Sequence, residues 1–169
     1  KKDFVASDKN ILNYPLLYMH GRTAFEWGET ERKQLREYLQ NGGVLFADAC
    51  CGAPQFDQSF REQVKKLFPE LKLERIPIEH EIFRTPFDIR EVTRRLPGAN
   101  GSGEPLKISA QKGQPILEGI TIDGRLAVIY SKYDLSCALE KQASLVCNGY
   151  ASEDALNIAM NIVIYSMME

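Results

Sequence analysis

The chain has 169 residues, 44% hydrophobic and 26% charged, and its 21 Lys and Arg against 23 Asp and Glu leave a formal net charge of -2. That length supports one soluble domain with its own core, 1–169, and the near balance of charge gives no basic field for nucleic acid or a membrane surface. No apolar stretch reaches the length of a membrane span and no secretory signal opens the chain, which starts at Lys1-Lys2-Asp3 without Met, as a piece excised from a longer protein would.

In chain order, residues 14–19 (YPLLYM) read as a buried strand ending at His20-Gly21. Thr30 is placed to cap a helix over 31–40, with Leu35, Tyr38 and Leu39 on one face. Asn41-Gly42-Gly43 supplies a left-handed stop. The apolar run 44–47 follows as a second strand, and strand–helix–strand order calls for a right-handed crossover and a parallel pair. Asp57 is placed to start a second helix, with Phe60, Val64, Leu67 and Phe68 at helical spacing and Pro69 as its stop. Residues 71–76 alternate as a third strand, 77–86 read as an extended connection, and 89–96 as a short helix with Arg90, Arg94 and Arg95 outward. The Gly- and Pro-rich segment 97–105 reads as a loop, 106–108 as an edge strand and 113–119 as loop. Residues 125–130 form the clearest late strand, ending at Ser131. Ser152 or Asp154 starts a last helix, with Leu156, Ala159, Met160, Val163 and Met167 as its apolar face.

The segment 42–52, GGVLFADACCG, stands out. A buried strand delivers Asp48, two adjacent cysteines and Gly52 to its C-terminal edge, where ligands bind in open α/β sheets. The four cysteines, Cys50, Cys51, Cys137 and Cys147, match no zinc-finger or CxxC spacing. Neighbouring cysteines bridge one another poorly, and Cys147 reads as a small buried hydrophobe.

The run from YPLLYMHG to NGGVLFADACCG, with FDQSFREQVKKLFP, EHEIF, GQPILEG, YSKYDLSCALE and ALNIAMNIVIYSM, resembles a bacterial family of domains of unknown function numbered 4159, over nearly the whole chain. The resemblance implies a class I glutamine amidotransferase-like, flavodoxin-like fold: a three-layer α/β/α sandwich with a mainly parallel sheet. It also implies a place at the end of longer membrane-associated or secreted bacterial proteins; the compartment of this chain itself stays unassigned.

Amidotransferases of that fold carry Gly-x-Cys-x-Gly at a sharp strand-to-helix turn. Here Cys50 and Gly52 fit while Asp48 replaces the first glycine. The His expected after the late strand is missing, since that strand runs into Ser131-Lys132-Tyr133-Asp134. The leading expectation is therefore a ligand- or protein-binding module without the standard triad. The alternative is an enzyme with Cys50 as nucleophile, His20 as base, and backbone N–H groups near Gly21 and Cys51 as oxyanion site. His80, in EHEIF, reads as structural.

A second arrangement is a zinc site. His20, Asp48, Cys50 or Cys51, Asp134 and Cys137 all fall at or beyond strand ends, and His20, Asp48, Cys51 and Cys137 make a sensible tetrahedral set. The bland alternative has both aspartates accepting from loop N–H groups and the thiols buried. A third arrangement is an anion cleft of Gly21, Arg22, Asp48, Cys51, Gly52 and Asp134, although Arg22 equally suits a surface ion pair. Without GxGxxG or a P-loop, no nucleotide is expected. Phe25, Trp27 and Phe56 suit a pocket wall or a partner surface, and Trp27 a lid over the core. The expected partners are a small anionic ligand, a protein, or other domains of the parent chain; neither nucleic acid nor membrane insertion is expected.

Overall fold

The computed structural model describes residues 3, 5–97, 109–142 and 145–168. Its first layer is a five-stranded sheet in the order β1 (Leu16–Gly21), β2 (Val44–Ala49), β7 (Arg125–Ser131), β6 (Glu118–Ile122) and β3 (Glu74–Arg75). β1, β2 and β7 run parallel, whereas β6 is antiparallel to both β7 and β3. A second sheet is antiparallel throughout, with β4 (Val92–Leu96) between β5 (Ser109–Gly113) and β8 (Gly149–Tyr150). Among the described residues the α-helices are α1 (Glu29–Gln40), α2 (Pro54–Leu67), α3 (Ser136–Leu139) and α4 (Ser152–Met168).

This corrects the expected three-layer sandwich around a mainly parallel sheet. The large sheet is mixed, and the second sheet had no counterpart in the sequence reading. The first sheet is mixed because β6 pairs antiparallel with both β7 and β3, and the second exists because the segment 89–96, read as a helix, contains the strand β4. Val92 and Thr93 are β-branched, and β4 is held from three directions. It pairs with β5 and β8, and the Thr93 N–H donates to the Asp154 carboxylate at 2.8 Å. The Arg94 guanidinium lies over the Tyr133 ring at 4.9 Å and donates to the Tyr133 hydroxyl at 2.8 Å.

Alternation along β2 builds two cores. Leu45, Ala47 and Ala49 face one way and pack with Leu35, Tyr38 and Leu39 of α1 and Phe56, Phe60 and Val64 of α2. Val44 and Phe46 face the other way, toward Ile158 and Ile162 of α4 and Ile82 and Phe83 of a 3-10 turn, Glu81–Phe83. All six residues of β2 are buried, as befits a strand covered on both faces.

Smaller differences have local causes. Thr30 is not the cap of α1: the helix starts earlier, and the Gly28 N–H donates to the Glu31 carboxylate at 2.7 Å. α2 begins at Pro54, a residue suited to the first turn. The third strand shrinks to the two exposed residues of β3. Within 113–119, Gly113 closes β5 and Glu118-Gly119 open β6. His80 is structural, its Nδ1 accepting the Ile82 N–H at 3.2 Å. Residues 98–108, which hold the expected edge strand and most of the loop, lie outside the described residues. Trp27 is buried, edge-on to Phe25 and Phe60.

The last helix presents the opposite side from the one expected. Its buried residues are Ala155, Ile158, Asn161, Ile162, Tyr165 and Ser166, while Leu156, Met160 and Met167 are 52%, 41% and 66% exposed. Asn161 enters the core because its carboxamide donates to the Ile82 and Phe87 carbonyls and accepts the Phe87 N–H. The Tyr165 hydroxyl accepts the Leu126 N–H at 2.9 Å. Among the described residues no helix is long and apolar enough to cross a membrane.

Candidate metal centre

Parallel pairing sets the C-terminal ends of β2 and β7 side by side, with Asp48 opposite Ser131. Cys50 and Cys51 follow β2 directly. Asp134 and Cys137 follow β7. The loop before β8 returns to this edge, because the Asp134 N–H donates to the Asn148 carbonyl and the Tyr150 N–H to the Asp134 carbonyl, both at 3.0 Å. A Cβ added at Gly149 would stand 2.7 Å from Asp134, so the close approach requires glycine there. Cys147 arrives on this returning loop and interacts with Cys51 and Asp134.

All four cysteines thus gather at one edge, free of disulfides. The Cys137 Sγ lies 3.4 Å from the Cys50 Sγ and 3.6 Å from the Cys51 Sγ. One ligand atom each of Cys50, Cys51, Cys137 and Asp134 falls within 4.8 Å of every other. Three thiolates and a carboxylate form a borderline-soft donor set of the kind zinc takes. Zinc–sulfur bonds of about 2.3 Å in a tetrahedron put neighbouring sulfurs about 3.8 Å apart. The two measured separations are close to that, so the residues fit the ion.

The turn carrying the thiols is tight. Cys51 has φ 56° and ψ 19°, the left-handed region, and Gly52 follows at φ 67°. Holding a cysteine there costs on the order of 1 kcal/mol, and the Asp134 carboxylate compensates by accepting the Cys51 N–H at 2.8 Å. Asp134 has no exposed surface and also accepts from the Ser136 hydroxyl and the Cys137 and Ala138 N–H groups, at 3.1, 3.4 and 3.3 Å. It orients both thiol-bearing turns at once.

Asp48 is buried behind this layer. It accepts the Tyr18 hydroxyl at 2.5 Å, the Leu135 and Ser136 N–H groups at 3.0 and 3.2 Å, and the Ser136 hydroxyl at 3.2 Å. Burial pushes its pKa up from the usual carboxylate range, and the N–H groups of Leu135 and Ser136 and the Tyr18 hydroxyl oppose that shift. Among the described residues it is not part of the cluster whose ligand atoms lie within 4.8 Å of one another, so it supports the centre from behind. Burial also pushes the Cys50, Cys137 and Cys147 thiols up. A bound dication would reverse this, since metal binding requires and promotes thiol deprotonation.

The remaining expected site residues are placed elsewhere or differently. His20 is exposed on β1, stacked on the Tyr18 ring at 5.5 Å. Among the described residues no hydrogen bond joins it to Cys50, whose sulfur meets Cys137 instead. Arg22 is exposed. Gly21 ends β1 beside Ala49, with the Phe56 ring 2.6 Å from where its Cβ would be. Beside Gly52 lies Asn148, its carbonyl 2.9 Å from a notional Cβ. Phe25 and Phe56 pack with tilted rings, their centroids 5.1 Å apart. The sequence reading gave Ser136 and Tyr18 no role and Cys147 only a packing one. One signal pointed to Ser136 and Cys137: an aspartate two and three residues before them suits capping of the next N–H groups.

The family of the Domain of unknown function DUF4159 matches residues 1–167. The chain belongs to that family. No curated protein matches it. The DUF4159 match establishes membership across the described centre without assigning it an activity, and it does not extend to the amidotransferase-like branch.

Proposed function

We propose that this DUF4159 domain is a binding module built around a thiolate metal centre, with Cys50, Cys51, Cys137 and Asp134 as ligands and zinc as the fitting ion. One observation carries this reading: ligand atoms from two separate turns lie within 4.8 Å of one another without any disulfide. The centre ties the end of β2 to the turn after β7, so its role is to hold this edge of the sheet in one shape for a partner, a protein or another domain of the parent chain. Structural metal sites act in this way, adding binding free energy to folding.

An amidotransferase- or hydrolase-like reaction at Cys50 has less support. Its sulfur faces another thiol, burial raises rather than lowers its pKa, and a nucleophile of this class needs the opposite shift or an adjacent base.

Metal analysis of protein purified without chelator tests the proposal. One zinc per chain is expected, and cobalt in its place should give an intense near-ultraviolet sulfur-to-metal band. Cys137→Ser should lose both, whereas Arg22→Ala should keep both. A wild-type chain without bound metal and without the cobalt band would sink the reading.

A further inference from the structure

We infer that Cys50 and Cys137 form a redox-active dithiol, closing to a disulfide that takes two ligands from the centre. The dithiol stands on its own geometry; its opposition to the metal rests on the reading above. The two sulfurs are 3.4 Å apart, so a bond of about 2.05 Å needs a closure of roughly 1.4 Å. The turns that carry them leave both partly exposed, within reach of a small oxidant. Cys51 is the second partner, its sulfur 3.6 Å from the same Cys137 Sγ. Adjacent cysteines pair poorly with each other, so Cys137 is the sulfur that either of the neighbours meets. Cys50 is the nearer of the two to Cys137 and is therefore the partner.

The oxidant is a small-molecule disulfide. One thiolate of the pair attacks it, forms a mixed disulfide and expels one thiolate of the reagent. The second protein thiolate then attacks the mixed disulfide and expels the other. The protein gives up two protons and two electrons, and the reagent leaves as two thiols. The metal and the disulfide exclude one another because each needs the same two sulfurs.

The test treats the chelator-stripped chain, and the chain loaded with one equivalent of zinc, with oxidised glutathione. Free thiols are then alkylated, and links are located by peptide mapping. The expected result in the stripped chain is loss of two of the four free thiols, with a link between Cys50 and Cys137. Cys147→Ser and Cys51→Ser should keep this link, and Cys50→Ser should move it to Cys51. Glutathione adducts without an internal link, or a Cys50–Cys51 link, would overturn the dithiol. Bound zinc should prevent the loss of thiols; equal oxidation of the zinc-bound chain would overturn the exclusion. If zinc does not bind while the link forms, the dithiol stands and the metal reading falls.

Discussion

Asp134 shows how much one side chain can hold. A buried carboxylate with a single donor would be costly, but four donors converge on this one, from the turn after β2, from Ser136 and from the first turn of α3. Asp134→Asn keeps the size and replaces one acceptor oxygen with a donor. It leaves at least one of these N–H groups facing an amide hydrogen. The expected loss is about 1–3 kcal/mol, read from the urea midpoint, together with weaker zinc retention. An unchanged midpoint would mean that the turn is held by other contacts. At this scale the sequence exposed the acidic and thiol groups but not their allotment. Asp48 and Asp134 look alike in sequence, each near a strand end. Only the surroundings separate them: the Tyr18 hydroxyl and the Leu135 and Ser136 N–H groups occupy Asp48, while Asp134 reaches the thiols.

At the scale of elements, α4 shows where periodicity stops deciding. The helix is apolar nearly all round, so two different faces satisfy a helical repeat. The core takes the one that carries Asn161 and Tyr165, because partners for their polar atoms wait in the 3-10 turn and in β7, while the Ser166 hydroxyl is satisfied within the helix by the Val163 carbonyl. The two faces should respond differently to truncation. Ile158→Ala or Ile162→Ala is expected to cost about 2–5 kcal/mol, and Met160→Ala, 41% exposed, to stay within about 0.5 kcal/mol. Equal losses measured by denaturant unfolding would contradict the packing described. β4 makes the same point for strands. Its five residues carry too short a pattern to choose between helix and strand, and the choice falls to β5 and β8 on either side.

Across the whole molecule, burial of phenol groups makes stability depend on alkaline pH. Tyr38 and Tyr150 are each pushed by burial from 10.0 up to about 12. Burial raises Tyr130 further still, and Tyr18, though 43% exposed, is raised by the partial burial of its hydroxyl and by the Asp48 carboxylate that it meets. Above pH 10 the unfolded chain releases these protons while the folded chain retains them, so the unfolded state binds fewer protons and stability falls as pH rises. Stability from these groups is expected to be complete below pH 10 and lost progressively from 10 through 12. The phenolate absorbance of these tyrosines should rise together with unfolding. If all seven tyrosines titrated near pH 10 with the fold intact, the burial described here would be wrong.

Residue pattern by itself determined β1, α1, β2, α2, β7 and the existence of α4, because each carries enough apolar periodicity or a long enough apolar run to specify its own class. It also determined that Asp48, Cys50 and Cys51 end a buried strand. Tertiary structure decided the rest: the mixed pairing of the first sheet, the existence of the second, the face of α4, and which side chains share the sheet edge. These depend on contacts between residues far apart in the chain, such as Cys51 with Asp134 and Asp134 with Gly149. Local propensity does not encode such pairings. They are selected when burial and hydrogen bonding are satisfied for the whole chain at once.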